Sequence, residues 1–295
     1  MRLVLLGVRG STPAPGAEFV RYGGHTSCVA VLADSDPVPR LVLDAGTGLR
    51  DLSGLLGDRP FAGAIVLTHL HWDHVQGLPF CPSIDRPDAH VELVVPAQPG
   101  GDDDARGLLA RAMSPPHFPI EPEGLVGDWK FASATPGPLT AEIALAPVAH
   151  KGGTTFGIRV ELDGTSFAYL PDHALGSAPA DLRAAAESLA AGADLLLHDG
   201  QFLTSEREIA IDYGHSTVDD AMRFADRCGV GELVLTHYAP TRTDAQLDAI
   251  VATTSTTPQG RPVSFARQGD TLPVAAASLW TTADARPSNS PDSSE

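Results

Sequence analysis

The run His69-Leu70-His71-Trp72-Asp73-His74 puts three imidazoles and one carboxylate within six residues. These are metal-binding side chains. In extended chain alternate residues share a face, so His69 and His71 can grip one ion from the same side. Asp73 and His74 fall in the turn that follows and can face a neighbouring ion. Neutral imidazole and carboxylate suit borderline ions such as zinc, manganese or iron. No cysteine adjoins the cluster, which argues against a closed structural zinc site and for open coordination positions, the arrangement of a catalytic metal.

Such a cluster needs a rigid element to present it, and the apolar run Ala64 to Leu67 directly before it reads as a strand. Similar runs predict strands at Leu3 to Leu6, Cys28 to Leu32, Leu41 to Leu43 and Val91 to Val95. In the second half they fall at Ile143 to Val148, Phe156 to Leu162, Ser166 to Leu170, Asp194 to Leu197, Leu233 to Leu235 and Val263 to Ala266. Three helices stand out. One begins at Ser216 or Thr217 and carries Val218, Ala221, Met222, Ala225 and Cys228 on a 3.6-residue period up to Gly229. A second spans Asp181 to Ala191. A third follows Thr243 and Gln246, a capping box ahead of Leu247, Ile250 and Val251.

The 295 residues allow one or two domains, and 43% hydrophobic residues with 19% charged ones describe a soluble globular chain. With 20 Lys+Arg against 37 Asp+Glu, the net charge of −17 repels polyphosphate backbones. Cys28, Cys81 and Cys228 form no disulfide framework, and no apolar run is long enough to span a membrane, so a cytoplasmic protein without export or membrane attachment is expected. Residues 281–295, rich in Ser, Pro, Asp and Asn, read as a disordered tail. The Asp102-Asp103-Asp104 run within Pro96 to Asp104 reads as a solvated acidic loop. Pro96 to Trp129 has no firm assignment and is a candidate lid or homodimer contact.

The H-x-H-x-D-H loop after a strand resembles the signature of the metallo-β-lactamase fold hydrolases. That resemblance implies a fold of the α/β (α+β layered) class, a four-layer αββα sandwich in a single domain over 1–280, and supplies the remaining ligands in order. His150, in Val148-Ala149-His150-Lys151-Gly152-Gly153, matches a further histidine. Asp172, in Tyr169-Leu170-Pro171-Asp172-His173, matches the bridging aspartate, and His237, after Leu233 to Thr236, matches the last histidine. Each lies at the end of an apolar run, where a sheet presents it to a common edge. Asp194 to Asp199 followed by Tyr213-Gly214-His215-Ser216-Thr217 resembles ribonuclease Z and the small cyclic phosphodiesterases related to it. There an acidic residue, usually glutamate, orients a histidine ahead of a helix; Asp199 and His215 fill those positions. The opening, Gly7 to Pro13 and Arg21 to Cys28, resembles the first loop of these proteins, in which asparagine often stands at the place of His25. This points to a modifying role for His25 rather than ligation.

The resemblance therefore implies His69, His71 and His150 on one ion, Asp73, His74 and His237 on the other, and Asp172 between them, with the ions about 3.5 Å apart. Zinc is the first choice of metal, with manganese or iron as alternatives. The implied reaction is hydrolysis of a small or cyclic phosphodiester by a hydroxide shared between the ions, with Asp73 in the catalytic set and His215, held by Asp199, as general acid. A transfer-RNA endonuclease needs a basic docking arm, and this chain has only Lys130 and Lys151 as lysines, so long nucleic acid is a disfavoured partner. Hydrolysis of a carboxylic ester, lactone or thioester would leave Asp199 and His215 without a task, and a non-catalytic metal-binding accessory protein would not need open coordination. His90, His117, His173 and His198 read as surface or supporting histidines, with His173 and His198 nearest the site. Trp72 reads as packing beneath the metal loop. Arg9 and Arg21 read as solvated or as holding an anionic substrate.

Overall fold

A computed structural model describes residues 1–100 and 104–276. The first strands in the chain are β1 (Arg2–Gly7), β2 (Cys28–Leu32), β3 (Leu41–Leu43), β4 (Ala62–Val66), β5 (His90–Pro96) and β6 (Asp128–Ala134). They are followed by β7 (Gly137–Pro138), β8 (Ile143–Pro147), β9 (Phe156–Leu162), β10 (Thr165–Leu170), β11 (Leu195–Asp199), β12 (Glu232–Thr236), β13 (Val263–Phe265) and β14 (Thr271–Pro273). The strands form two seven-stranded sheets, ordered β14-β1-β2-β3-β4-β5-β6 and β13-β12-β11-β10-β9-β8-β7. Each sheet pairs an antiparallel half with a parallel one.

Alternation along the strands builds the layers. Leu3, Leu5, Val29, Val31 and Leu43 of the first sheet share one core with Leu145, Ile158, Phe167, Leu195 and Val234 of the second. The alternate residues face outward. Val4, Leu6, Val42, Ile65 and Leu93 pack with α1 (Leu52–Leu56) and α3 (Ala105–Ala110). Ala168, Leu170, Leu196, Leu233 and Leu235 pack with α4 (Ala180–Ala190) and α6 (Val218–Cys228). The outcome is the αββα sandwich. Strands covered on both faces are apolar throughout, which is why Cys28–Leu32 reads as an unbroken apolar run.

Helix α6 keeps its expected signals: Thr217 accepts from the Asp220 amide as N-cap, and Gly229 closes the helix in the left-handed region at φ 69°. Helix α7 (Asp244–Val251) starts with the Thr243/Gln246 capping box. Besides β7, α1 and α3, four elements are additions to the sequence reading. The edge strand β6 pairs with β5 in parallel, and β14 pairs with β1. The others are the four-residue α2 (Trp72–Val75) and α5 (Arg207–Tyr213). Pro96 to Trp129 holds α3 and the start of β6. The expected tail over 281–295 and the Asp102-Asp103 part of the acidic loop lie outside the described residues.

Strand direction decides where the chemistry sits. β10, β11 and β12 run parallel, and β8 shares their direction because it is antiparallel to β9, itself antiparallel to β10. In the other sheet β1, β3 and β4 run alike by the same count. The loops after all these strands therefore leave from C-terminal edges, the place where open α/β sheets gather ligand sites. Among the described residues no helix is long and apolar enough to cross a membrane.

Candidate metal centre

The loop after β4 begins with Thr68, whose amide and hydroxyl both donate to the Asp44 carboxylate at 2.8 and 2.9 Å. Asp44 is fully buried, directly follows β3 and sits at φ 59°, in the left-handed region. Its other oxygen accepts from His74 Nδ1 at 2.8 Å. One carboxylate thus fixes both ends of the histidine loop. The sequence reading passed over Asp44; its only signal there was a charged residue closing the apolar run Leu41 to Leu43. Asp44→Asn is expected to reduce metal affinity about 10- to 100-fold, the usual cost of losing a partner behind a ligand, measured by titration of chelator-stripped protein. An unchanged affinity would remove Asp44 from the positioning role.

His69 and His71 share a face as alternation requires, with ring centroids 4.4 Å apart. His150, after β8, completes a triangle at 5.1 Å from His69 and 5.0 Å from His71. The Gly214 carbonyl accepts from His150 Nδ1 at 2.6 Å, so Nε2 faces the cluster. Asp73 and His74 come from the single turn of α2, and the Ser11 amide donates to Asp73 Oδ2 at 2.6 Å. His237, after β12 at φ 60°, lies with Nε2 3.2 Å from the same oxygen. A Cβ on Gly10 would meet the His237 ring at 2.4 Å, so only glycine fits there. Asp172, after β10, points Oδ1 at His150 Nε2 (3.5 Å) and Oδ2 at His74 Nε2 (3.0 Å) and His237 Nε2 (3.2 Å). All seven residues of the expected ligand set come together.

The donors fit divalent cations. His74 spends its Nδ1 proton on Asp44, so in the neutral ring Nε2 is a lone pair aimed at two carboxylates and at His237 Nε2, 3.4 Å away. His69 Nε2 and Asp172 Oδ2 are buried without a hydrogen-bond partner. Lone pairs converging at these distances repel unless positive charge lies between them. Burial and the imidazoles of His74, His150 and His71 hold His69 in the neutral form that binds metal. Burial opposes charge on His74, yet Asp44, Asp73 and Asp172 outweigh it and raise its pKa. Against their own burial, Asp73 and Asp172 are held well below the usual carboxylate range by the surrounding histidines.

Beside the cluster, His215 Nδ1 donates to Asp199 Oδ2 at 2.9 Å. The shorter aspartate reaches because the backbone closes in on it. Amides of Ser216, His173 and Gln201 also donate to the Asp199 carboxylate, at 3.2, 3.2 and 3.0 Å. With Nδ1 committed, Nε2 is the nitrogen left for the cleft of about 740 Å³ that His215 lines. Burial disfavours a charge on His215, but Asp199, then Asp172 and Asp73, outweigh it, so its pKa is raised above the ordinary 6.5. His173 and His198 form a buried pair behind Asp199: the Asp199 carbonyl accepts from His198 Nδ1 at 2.9 Å, and His173 Nδ1 donates to His198 Nε2 at 3.0 Å.

Other expectations need correction. Trp72 does not pack beneath the loop: it opens α2 with its side chain 75% exposed, because inward positions of that turn belong to Asp73 and His74. Arg9 is neither solvated nor in the cleft. It is fully buried and donates to the carbonyls of Gly23, Ala239 and Arg242 at 2.7, 3.2 and 2.7 Å, tying the first loop to the segment after His237. Arg21 is a surface partner of Asp248 at 2.6 Å. His25 stays apart from the cluster, with its ring on Thr47 Oγ1 at 3.1 Å. Cys28, Cys81 and Cys228 are free and buried. His90 is exposed beside Asp128, and His117 is exposed on another hollow.

Residues 39–238 match the family described as Beta-lactamase superfamily domain. A ribonuclease Z of Shouchella clausii is 31% identical over 218 residues, which cover 60% of this chain and 69% of that one. Among solved structures, a diphosphatase from the PhnP family superposes with a TM-score of 0.67 at 19% identity over 93% of this chain and 98% of its own. Zn(2+)-bound PqqB from Methylobacterium extorquens superposes with a TM-score of 0.60 at 20% identity, over 92% and 100%. At such identities the two structures speak for the fold. The family match runs from just before Asp44 to just past His237, the span that carries the whole cluster. The chain belongs to the beta-lactamase superfamily, and it is a phosphodiesterase-like, metal-dependent hydrolase of the metallo-β-lactamase fold.

Proposed function

We propose that this single-domain enzyme, over residues 1–280, hydrolyses a small or cyclic phosphodiester at two divalent ions, with His215 as general acid. One ion would be held by His69, His71 and His150, the other by Asp73, His74 and His237, and Asp172 would span them. The opposite aim of its two oxygens supports that role: Oδ1 lies toward His150, Oδ2 toward His74 and His237. Zinc, with manganese or iron as alternatives, would supply Lewis-acid charge neutralisation and make hydroxide available at neutral pH.

The observation that carries the phosphodiester reading is the Asp199–His215 pair at 2.9 Å on the wall of the cleft. A phosphodiester leaves an alkoxide, which needs a proton, and His215 Nε2 is placed to give one. Asp199 fixes the ring's tautomer and favours its charged form. Among the described residues, Lys151 is the one lysine or arginine lining the cleft. A single cation suits one phosphate, whereas a polymer requires a basic track that a chain of net charge −17 does not offer here. The ribonuclease Z relatives keep an RNA substrate as the competing outcome.

Turnover of small phosphodiesters by protein loaded with zinc or manganese tests the proposal, with a precursor transfer RNA assayed alongside. Inert phosphodiesters together with opened lactones or thioesters would overturn it. The working form of His215 is the protonated one, so kcat/KM is expected to fall as pH rises through a pKa above 6.5. A pH profile of His215→Gln lacking that alkaline limb supports the assignment; an identical limb in the variant removes it.

A further inference from the structure

The segment that carries the histidine cluster has two faces. His71 and Asp73 line the metal cleft, while Leu70 and Trp72 border both that cleft and a second cavity of about 340 Å³. The two hollows therefore share Leu70 and Trp72 as a common wall. Phe80, Met113 and Phe118 supply much of the remaining wall, and Gln76 and His117 are its other side chains with polar atoms besides the Trp72 indole. Among the described residues no Lys, Arg, Asp or Glu lines it. Trp72 and Phe80 are 75% and 63% exposed, so two large aromatic surfaces face solvent at the lip of this second cavity, one of them shared with the metal cleft. Exposed apolar surface in a concave setting beside chemistry marks a binding region.

We infer that this cavity is a substrate subsite that takes an aryl substituent of the same molecule whose phosphodiester enters the metal cleft; the inference rests on the phosphodiester reading given above. The volume lies at the lower end of small-molecule pockets, roughly 300–1,000 Å³, enough for one ring system and not for an extended chain. A sugar or the polar edge of a nucleobase would lose water there against few partners, while an apolar aryl group gains from burial and from the Trp72 face. With no Lys, Arg, Asp or Glu among the described residues of the cavity and Lys151 in the cleft, the phosphate and the ring are sorted to opposite sides of Leu70 and Trp72.

The test uses metal-loaded full-length protein and two phosphodiesters with a common leaving group, one bearing a naphthylmethyl group and the other a methyl group. The naphthylmethyl diester is expected to show kcat/KM about tenfold higher or more. Ala112→Trp fills the cavity from an exposed wall position and is expected to lower that ratio about tenfold. Naphthylmethanol is expected to inhibit the wild-type protein competitively and to quench Trp72 fluorescence, readouts that need no folded variant. A ratio near one, preference for a nucleotidyl ester over the naphthylmethyl one, or a wild-type dimer that Ala112→Trp splits would each overturn the inference, the last by making a second copy of the chain the occupant. If phosphodiesters are inert and the matching carboxylic esters are cleaved, the functional reading fails, and the same ratio measured on the esters still decides the cavity.

Discussion

Replacing His215 with alanine is expected to lower hydrolysis of a phosphodiester with an alkoxide leaving group by about a hundredfold to ten-thousandfold, with bound metal retained. The loss depends on the leaving group. An alkoxide departs poorly unless protonated as its bond to phosphorus breaks, whereas p-nitrophenolate is stable enough to leave as an anion, so bis(p-nitrophenyl) phosphate should suffer far less. Metal content should hold because His215 spends Nδ1 on Asp199 and keeps that atom 3.7 Å from Asp172. Asp199→Asn should give a smaller loss: an amide oxygen can still accept from Nδ1, but the negative charge that raises the His215 pKa is gone. Rates for both leaving groups and metal content by elemental analysis decide it. Equal losses for both leaving groups, or protein that loses its metal, would take His215 out of the proton-donor role.

The residues that make this prediction possible were visible in the sequence to unequal degrees. The His69 to His74 loop was legible because ligand spacing is local: alternation in extended chain and one turn of helix put six consecutive residues into known relative positions. His150, Asp172 and His237 became legible only through the family resemblance, since what unites them is the common direction of β8, β10 and β12 within one sheet, a property of pairing between distant segments. Helix α6 was readable from its period and caps. Edge strand β6 was not, because Asp128–Ala134 mixes half-exposed apolar and polar residues and owes its place to a register with β5, Val91 opposite Trp129.

Burial explains the remaining misreadings. A sequence does not say whether an arginine is wet, and Arg9 is buried because three carbonyls left by turns in the first loop and after His237 need a donor. Asp44 looked like a strand terminus, and its function depends on Thr68 and His74, which reach it only once β3 and β4 lie side by side. Trp72 looked like a core residue by type. The turn of α2 gives its inner face to ligands, so the indole must face outward, and that reversal is what creates the aromatic lip of the second cavity.

Stripping metal with a chelator is expected to abolish hydrolysis and to lower the melting temperature, and both changes should reverse on adding zinc or manganese. The stability effect follows from the cluster's composition. With the ions removed, the Asp73 and Asp172 carboxylates stay almost wholly buried opposite imidazole lone pairs, and only protons taken up by the histidines relieve the repulsion. An ion present at a thousand times its dissociation constant stabilises the folded state by about 4 kcal/mol, worth on the order of 10 °C in a chain of this size. Asp172→Asn separates the contributions. It keeps the shape of the side chain but replaces one carboxylate oxygen with an amide nitrogen that donates, so under the two-ion proposal metal content should drop from about two ions to about one, with turnover down on the order of a thousandfold. The same variant should melt lower than wild type once both are stripped, because the histidines that hold the Asp172 carboxyl well below its usual range favour its charge in the fold, and the amide loses that attraction. Calorimetry of the four species, wild type and variant with and without metal, tests the whole scheme. Stripped wild-type protein that keeps its melting temperature would mean that the seven side chains are held together by the fold alone and that no cation is needed to balance them.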